Sequence, residues 1–328
     1  MLTKIQSDLE RISEFDPGMW DLLRNKKIFA TGCTGFIGTW IIYSFVYINQ
    51  KFKLGSELYC LTRNKNKNEE KFPEIKFIEG DIQSFKFPEG QFDFVIHGAG
   101  EVSHLEGHSE LVDISNIGTK RLINFSKNAS VGKILFLSSG AAYGIQPRDL
   151  PFLEEIFPDA ISKSAYGEAK KLAETLLFNE IIPVTSARIF TVCGPFIPLN
   201  SNFAFSNFME SILMKKKITI TSNGKTTRSY LYAGDVVLWL WLLLLKGRDK
   251  EIYNVGSEEE ISILGLAQKI VETLGKENEI EILGKELEFG RYLPSNKKIR
   301  REFNIGNLVS LEQGIKKSFV NLKDCYEF

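Results

Sequence analysis

The chain has 328 residues, with 41 Lys and Arg balanced by 41 Asp and Glu, and 43% of its residues are hydrophobic. That length supports a large core, in one α/β domain with a smaller appendage or in two domains. Zero formal net charge argues against nucleic acid or a membrane surface as a partner gathered by bulk electrostatics.

Cys33, Cys60, Cys193 and Cys325 are scattered, with no paired spacing for zinc or a redox couple, and fit a reducing cytoplasm. The N-terminus is too charged for a signal peptide. The strongest apolar run, Val236 to Leu245, is too short to span a bilayer and reads as a buried helix.

In chain order, residues 1–25 carry Leu2, Ile5, Leu9, Ile12 and Phe15 at mostly helical spacing. They predict an amphipathic helix, ending near Asp16-Pro17-Gly18, laid on the outside of the main domain. Next comes Lys27-Ile28-Phe29-Ala30-Thr31-Gly32-Cys33-Thr34-Gly35-Phe36-Ile37-Gly38, a short apolar run that ends in regularly spaced glycines. This is strand, tight turn and helix. Glycine there admits positive φ and lets a pyrophosphate lie on main-chain N–H groups at a helix N-terminus.

A second strand, Glu57 to Asn64, ends where a dinucleotide fold reads the adenosine ribose. An acid there favours NAD, whereas an Arg accommodates a 2′-phosphate. Arg63 stands at that tip with no acid before Glu69, a lean towards NADP, and Lys65–Lys71 reads as a polar loop.

Two short strands follow, at Ile75–Ile82 and Phe92–Gly100. Then come a helix over Leu111–Ser126, a strand at Lys133–Ser138, a helix from Ser162, and a strand at Pro183–Phe190. This βαβ alternation predicts a doubly wound parallel sheet of Rossmann type, with ligands at the C-terminal strand ends. After Gly194-Pro195 the alternation loosens. A short strand at Lys217–Thr221 and helices near Asp235–Leu245 and Ile263–Leu274 remain. The expected division is 26–195 for a dinucleotide-binding domain and 196–328 for a smaller substrate lobe, with some later segments returning to the first domain.

Tyr166 and Lys170 lie four apart, hence on one helical face. An ammonium one turn away, with a positive nicotinamide nearby, should favour the phenolate and bring its pKa down from about 10. The helix follows the strand that ends at Ser138-Ser139, whose hydroxyl can sit across the same substrate oxygen.

Thr-Gly-x-x-Gly-x-x-Gly at 31–38, Gly80-Asp81-Ile82, Leu137-Ser138-Ser139 with Tyr143-Gly144, Ser164 to Lys170, and Gly194-Pro195 stand in this order. Together they resemble the extended short-chain dehydrogenase/reductases, specifically the NAD-dependent epimerase/dehydratase family acting on nucleotide sugars, over about residues 25–310. The resemblance implies that Gly32, Gly35 and Gly38 hold the cofactor pyrophosphate with main-chain contacts from Phe36 and Ile37. Asp81 and Ile82 would meet the adenine, and Gly98, Ala99 and Gly100 would form the loop beside the cofactor. Asn116 would steady the central helix, with Ser138 and Pro195 among the cofactor-binding positions.

It further implies Tyr166 as acid/base, Lys170 on the nicotinamide ribose, and Ser139 on the reacting oxygen. Arg228, and less firmly Arg291, resemble the arginines that hold the sugar nucleotide's diphosphate, for which a guanidinium fork is suited. Thr191 and Asn207 are further substrate-binding positions, and Thr191 stands where many relatives have Asn. A homodimer joined through the helices bearing Asn116 and Tyr166 is expected.

The departures narrow the reaction. Where 4,6-dehydratases have an Asp-Glu pair, this chain has Gly140 and Ala141, and decarboxylases use a Glu matching Ala141. Without those carboxylates neither elimination nor assisted decarboxylation has its proton carriers. His104 and His108, with Glu106 and Glu110 nearby, fall in the variable loop over the sugar pocket, and no metal is expected. The readings left are a sugar-nucleotide epimerase acting at C4 with retained NAD and an NADPH-dependent 4-keto-sugar reductase. A non-catalytic dinucleotide sensor is disfavoured by the intact Tyr166, Lys170 and Ser139.

Overall fold

The computed structural model describes residues 2–100, 108–146, 150–155, 164–199, 203–284, 290–306 and 308–325. It divides into two compact units. The first takes Met1–Ile145, Glu154–Ile189 and Val237–Asn254, and the second takes Gln146–Leu153, Phe190–Val236 and Val255–Phe328.

The first unit is built on strands β1 (Lys27–Thr31), β2 (Glu57–Thr62), β3 (Lys76–Glu79), β4 (Phe94–His97), β5 (Lys133–Ser139) and β6 (Val184–Ile189). A strand at Glu251–Val255 closes one edge, and the order runs from it through β6, β5, β4, β1 and β2 to β3. The ladders from β3 across to β6 are parallel. Parallel neighbours need crossovers. Here α2 (Phe36–Lys51), α3 (Lys65–Lys71), α4 (His108–Asn128) and α5 (Ala165–Phe178), preceded by α1 (Leu2–Glu14), lie between or beside the strands. With helices covering both faces, the central strands bury both sides: every residue of β6 is buried, as are all but the first of β5.

Phe29 anchors the core on one side, with its ring centroid 4.6 Å from that of Phe125 and 5.4 Å from that of Phe85.

The N-terminal segment does more than lie on the surface. Ile5, Leu9 and Ile12 are fully buried. The helix ends at Glu14, next to the Asp16-Pro17-Gly18 expected to stop it, because proline cannot continue it, and a 3-10 turn follows at Pro17–Leu23. That turn carries Trp20, whose ring packs edge-on against Trp241 at 6.2 Å, while the Trp241 indole donates to Ser44 Oγ at 2.8 Å.

One departure from the sequence reading has a local cause. Lys65–Lys71 is a helix and not a polar loop. Asn64 caps it by accepting from Lys67 N at 3.3 Å, and Lys65 pairs with Glu69 one turn on. The chain enters the second unit at Gln146–Leu153 and again at Phe190–Val236, and Val237–Asn254 belongs to the first unit.

The second unit is made of small pieces. Thr227–Arg228 lies between Ile261–Ser262 and Arg291–Tyr292 in a three-stranded sheet, and Ile218–Ile220 pairs with Ile280–Ile282. Among the described residues no helix is long and apolar enough to cross a membrane.

Candidate functional site

The glycines of the β1–α2 turn are required for different reasons. Gly32 has φ +78°, and a Cβ there would lie 2.6 Å from the Gly98 carbonyl carbon and oxygen. At Gly38 a Cβ would come within 2.4 Å of Cys33 Cα and the Gly32 oxygen, so only glycine lets α2 start this close to the turn. Gly35, the N-cap of α2, has ordinary φ, and a Cβ would meet only the Gly32 oxygen at 3.5 Å. Packing within the protein does not demand glycine at 35. A ligand lying against the main chain would, and the first-turn N–H groups of Phe36 and Ile37 have no helical acceptor of their own. On that test the residues fit a dinucleotide pyrophosphate.

The loop after β4 is tied to β1 through Thr31, whose carbonyl accepts from Gly98 N at 3.1 Å and whose hydroxyl adds further bonds. Thr31 Oγ1 accepts from Gly98 N at 3.2 Å and from Ala99 N at 3.0 Å, and it lies 2.9 Å from His97 Nδ1. With both acceptor sites used, the hydroxyl proton goes to Nδ1, which assigns His97 as the Nε2–H tautomer. His97 is buried, and desolvation together with the nearby Lys170 charge pulls its pKa down to about 3. Neither Thr31 nor His97 was singled out from sequence as a positioning pair. The contact links residues 66 positions apart, and only the β1–β4 pairing brings them together.

Arg63 is exposed at the end of β2, beside Thr62, whose hydroxyl accepts from Asn64 N and Asn68 Nδ2. Asp81 sits in the turn after β3, where its carboxylate accepts from Gln83 N at 2.9 Å. Ile82 packs against Gly118 of α4, where a Cβ would approach it to 2.9 Å, and Asn116 lies half-buried one half-turn earlier. Gly100 is close to Lys170, since a Cβ there would lie 3.4 Å from Nζ. Cys33, inside the glycine turn, neighbours Cys60 of β2. Burial and this neighbour push the Cys60 thiol well above its ordinary value, which leaves it unreactive.

Ser139 ends β5 and caps the 3-10 turn Gly140–Tyr143, accepting from Ala141 N at 3.2 Å. Its side chain also hydrogen-bonds Tyr166, which α5 presents from its first turn after the Ser164 cap. Ser138 is buried. Lys170 is buried one turn along α5. Its ammonium donates to the Leu137 carbonyl at 2.8 Å and stands 5.7 Å from the Tyr166 ring centroid.

The expected depression of the tyrosine pKa is not present in the protein by itself. Burial pushes the Tyr166 phenol up, and the Ser139 hydrogen bond opposes that only in part. Lys170 is pulled down to about 8 by burial, against the favourable charge of Glu174.

In the second unit, Arg228 and Arg291 are not brought together. Arg228 is in register with Tyr292 and Ile261, whereas Arg291 is in register with Thr227. Neighbours along a strand point to opposite faces, so the two guanidinium groups project from opposite sides of the small sheet. Arg291 forks onto Glu260 at 3.0 and 3.3 Å. Arg228 donates to the Thr227 carbonyl at 2.8 Å and lies 5.4 Å over the Tyr292 ring. Among the described residues no carboxylate pairs with it, and burial lowers its pKa.

Thr191 is half-buried and its carbonyl accepts from Leu231 N, while Pro195 is buried. Asn207 is exposed on α6 (Ala204–Leu213) and lines a shallow cleft of about 310 Å³ with Phe208, Glu210, Ser211, Met214, Lys216 and Thr219. A second cleft, of about 350 Å³, lies by Lys26, Asp93 and Lys133 at the N-terminal strand ends, away from the glycine turn. His104 and Glu106 lie outside the described residues, as does the His108 side chain. No metal-binding group of three ligands occurs among the described residues.

A family model described as the NAD dependent epimerase/dehydratase family matches residues 28–256. A dTDP-D-glucose 4,6-dehydratase from Dictyostelium discoideum is 28% identical over 276 residues, covering 75% of this chain and 62% of that protein. UDP-glucuronic acid decarboxylase 6 from Arabidopsis thaliana is 26% identical, covering 79% of each. Among solved structures, an epimerase from the methanogen Methanothermobacter thermautotrophicus superposes with a TM-score of 0.82 at 20% identity, covering 96% of this chain and 97% of that one. The chain belongs to the NAD-dependent epimerase/dehydratase family of the short-chain dehydrogenase/reductases.

Proposed function

We propose that the protein is a nucleotide-sugar epimerase that moves a hydride at a sugar carbon, C4 in the favoured reading, in the cytoplasm. The observation that carries this is the Ser139–Tyr166 hydroxyl pair with Lys170 one turn on, beside a turn that offers only Gly140 and Ala141 where elimination needs carboxylates. NAD, held along the glycine turn and the Gly98–Gly100 loop, would supply the hydride acceptor and donor. Ser139 holds the reacting sugar oxygen. Tyr166 exchanges a proton with that same oxygen, taking it as the hydroxyl becomes a carbonyl and giving it back on return. Arg228, a cation without a carboxylate partner among the described residues, is the anchor for the diphosphate.

A second reading is reduction of a 4-keto sugar nucleotide by NADPH. Arg63 without an acid before Glu69 favours it, and so does a Tyr166 phenol held in its protonated, donor form. Nucleotide sugars and their 4-keto forms, screened with and without NADH and NADPH, separate the two. Protein purified with stoichiometric NAD that turns over without added cofactor is an epimerase. Protein that consumes NADPH in step with product is a reductase. The same family resemblance supports a homodimer through α4 and α5, where Ile117 is 48% exposed, and sedimentation measures that.

A further inference from the structure

Tyr166, Lys170 and Glu174 follow one another at intervals of four along α5, so they form one stripe on the helix. The third member of that stripe is not part of the reacting set, yet it is the most firmly held. Glu174 receives a two-point fork from Arg188 of β6, Nε to Oε1 at 3.0 Å and Nη2 to Oε2 at 2.6 Å, and a third hydrogen bond from Ser186 Oγ at 2.8 Å. The two side chains are 5% and 3% exposed.

Arg188 continues the connection. Its guanidinium carbon lies 4.1 Å from the Tyr143 ring centroid, and Tyr143 ends the 3-10 turn that Ser139 caps. The Tyr143 hydroxyl donates to Asn254 Oδ1 at 2.8 Å, and Glu154 accepts from Asn254 N at 2.9 Å. A continuous set of polar contacts thus runs from the helix of Tyr166 and Lys170 to the turn of Ser139.

We propose that Glu174 and Arg188 are positioning residues: the pair locks the Tyr166 helix to the Ser139 turn and fixes a buried carboxylate one helical turn from Lys170. This rests on the reading of Tyr166, Lys170 and Ser139 as the reacting groups. Among the described residues, the ionisable groups around Lys170 are few. Glu174 and Tyr166 share its helix, and His97 faces it from β4 as a neutral imidazole. Glu174 in turn faces Arg188 and Lys170, and Arg188 faces Tyr143, which also feels Glu154. Among these, Glu174 supplies the negative charge that favours the ammonium. A tether alone would not call for ions here, because well-packed apolar side chains of the same volume commonly hold elements together as well as a buried ion pair does. The charge of Glu174 is what an apolar replacement could not provide.

The test titrates Lys170 itself, in protein without substrate, by the NMR shift of ¹³Cε-labelled lysine, with the Lys170→Arg variant to assign the signal. Its outcome is independent of which sugar or which reaction is correct. Native Lys170 is expected to titrate at about 8. Glu174→Gln should lower that midpoint by about one pH unit or more, Glu174→Asp should restore most of it, and Arg188→Gln should raise it. An unshifted midpoint in folded Glu174→Gln overturns the proposal. Should Glu174→Gln not fold, Arg188→Gln decides alone, and an unshifted or lowered midpoint overturns it. Turnover by Arg188→Gln should fall at least tenfold in kcat with little change in cofactor affinity, as loosened geometry between Ser139 and Tyr166 requires. Unchanged kcat overturns the locking role.

Discussion

Thr31 Oγ1 and His97 Nδ1 meet at 2.9 Å, and through that contact the end of β1 holds the loop after β4 in place. The same hydroxyl accepts from two loop amides, and its removal would orphan Ala99 N and His97 Nδ1, while Gly98 N keeps the Thr31 carbonyl as acceptor at 3.1 Å. Thr31→Val, nearly the same shape, should therefore weaken dinucleotide binding about tenfold or more, on the order of 1–3 kcal/mol. Calorimetric titration with NAD and NADP measures it, and binding equal to the native protein's would show that the loop is held by something else.

His97 also sets a pH dependence. Its folded pKa, about 3, lies below the unfolded value near 6.5, so the unfolded chain binds the extra proton between those limits. This contribution to stability is fully present above the unfolded pKa and is lost as pH falls from about 6.5 towards 3. His97→Asn should flatten that part of the stability-versus-pH curve, as read by urea unfolding at a series of pH values.

The glycines of the turn should respond differently to alanine. Gly32→Ala forces a side chain into positive φ and onto the Gly98 backbone, so the fold itself should lose about 2 kcal/mol or more. Gly35→Ala meets only ordinary contact, so melting should change little while cofactor binding falls. Paired thermal melts and binding titrations distinguish these outcomes, and a Gly35→Ala protein that binds cofactor normally would remove the argument for a ligand at that position.

Arg228 and Arg291 make a similar contrast. Loss of a charge-assisted contact costs about 1.5–3 kcal/mol, so Arg228→Ala should raise KM for the nucleotide sugar roughly 10- to 100-fold. Arg291→Ala gives up a partly exposed pair with Glu260, worth about 0–1 kcal/mol, and should leave KM nearly unchanged.

Tyr166→Phe should lower turnover about 10²- to 10⁴-fold with cofactor binding retained, because the ring stays and the exchanged proton goes. Single-turnover hydride transfer followed by cofactor absorbance is the measurement. A sensor without chemistry would be indifferent to the change.

The sheet and the glycine turn were legible in the sequence because their signals are local. Apolar runs bounded by turns fix β1, β4, β5 and β6, and glycines at 32, 35 and 38 mark the helix entry. The Ser139–Tyr166 contact could be anticipated because each residue lies at a recognisable position of its own element. What could not be read depends on register and burial. Arg228 and Arg291 look equivalent as letters, but one residue of offset between paired strands puts them on opposite faces. The Tyr166 phenol was expected to be depressed by Lys170. Burial raises it instead, and the Lys170 ammonium donates to the Leu137 carbonyl. At Lys65–Lys71, the count of lysines hid a helix whose start is set by the Asn64 side chain.

The return of Val237–Asn254 to the first unit bears on the order in which the protein can be made. Trp241, against which Trp20 packs and which donates to Ser44, is synthesised some two hundred positions after them. The strand at Glu251–Val255 that closes the sheet edge arrives later still. A nascent chain stopped near residue 195 would expose β6 as an open edge and leave Trp20 and the Ser44–Phe45 side of α2 without Trp241. The first unit opens the chain, but it cannot be first to finish. Its completion waits on a segment that the ribosome delivers only after much of the second unit has already emerged.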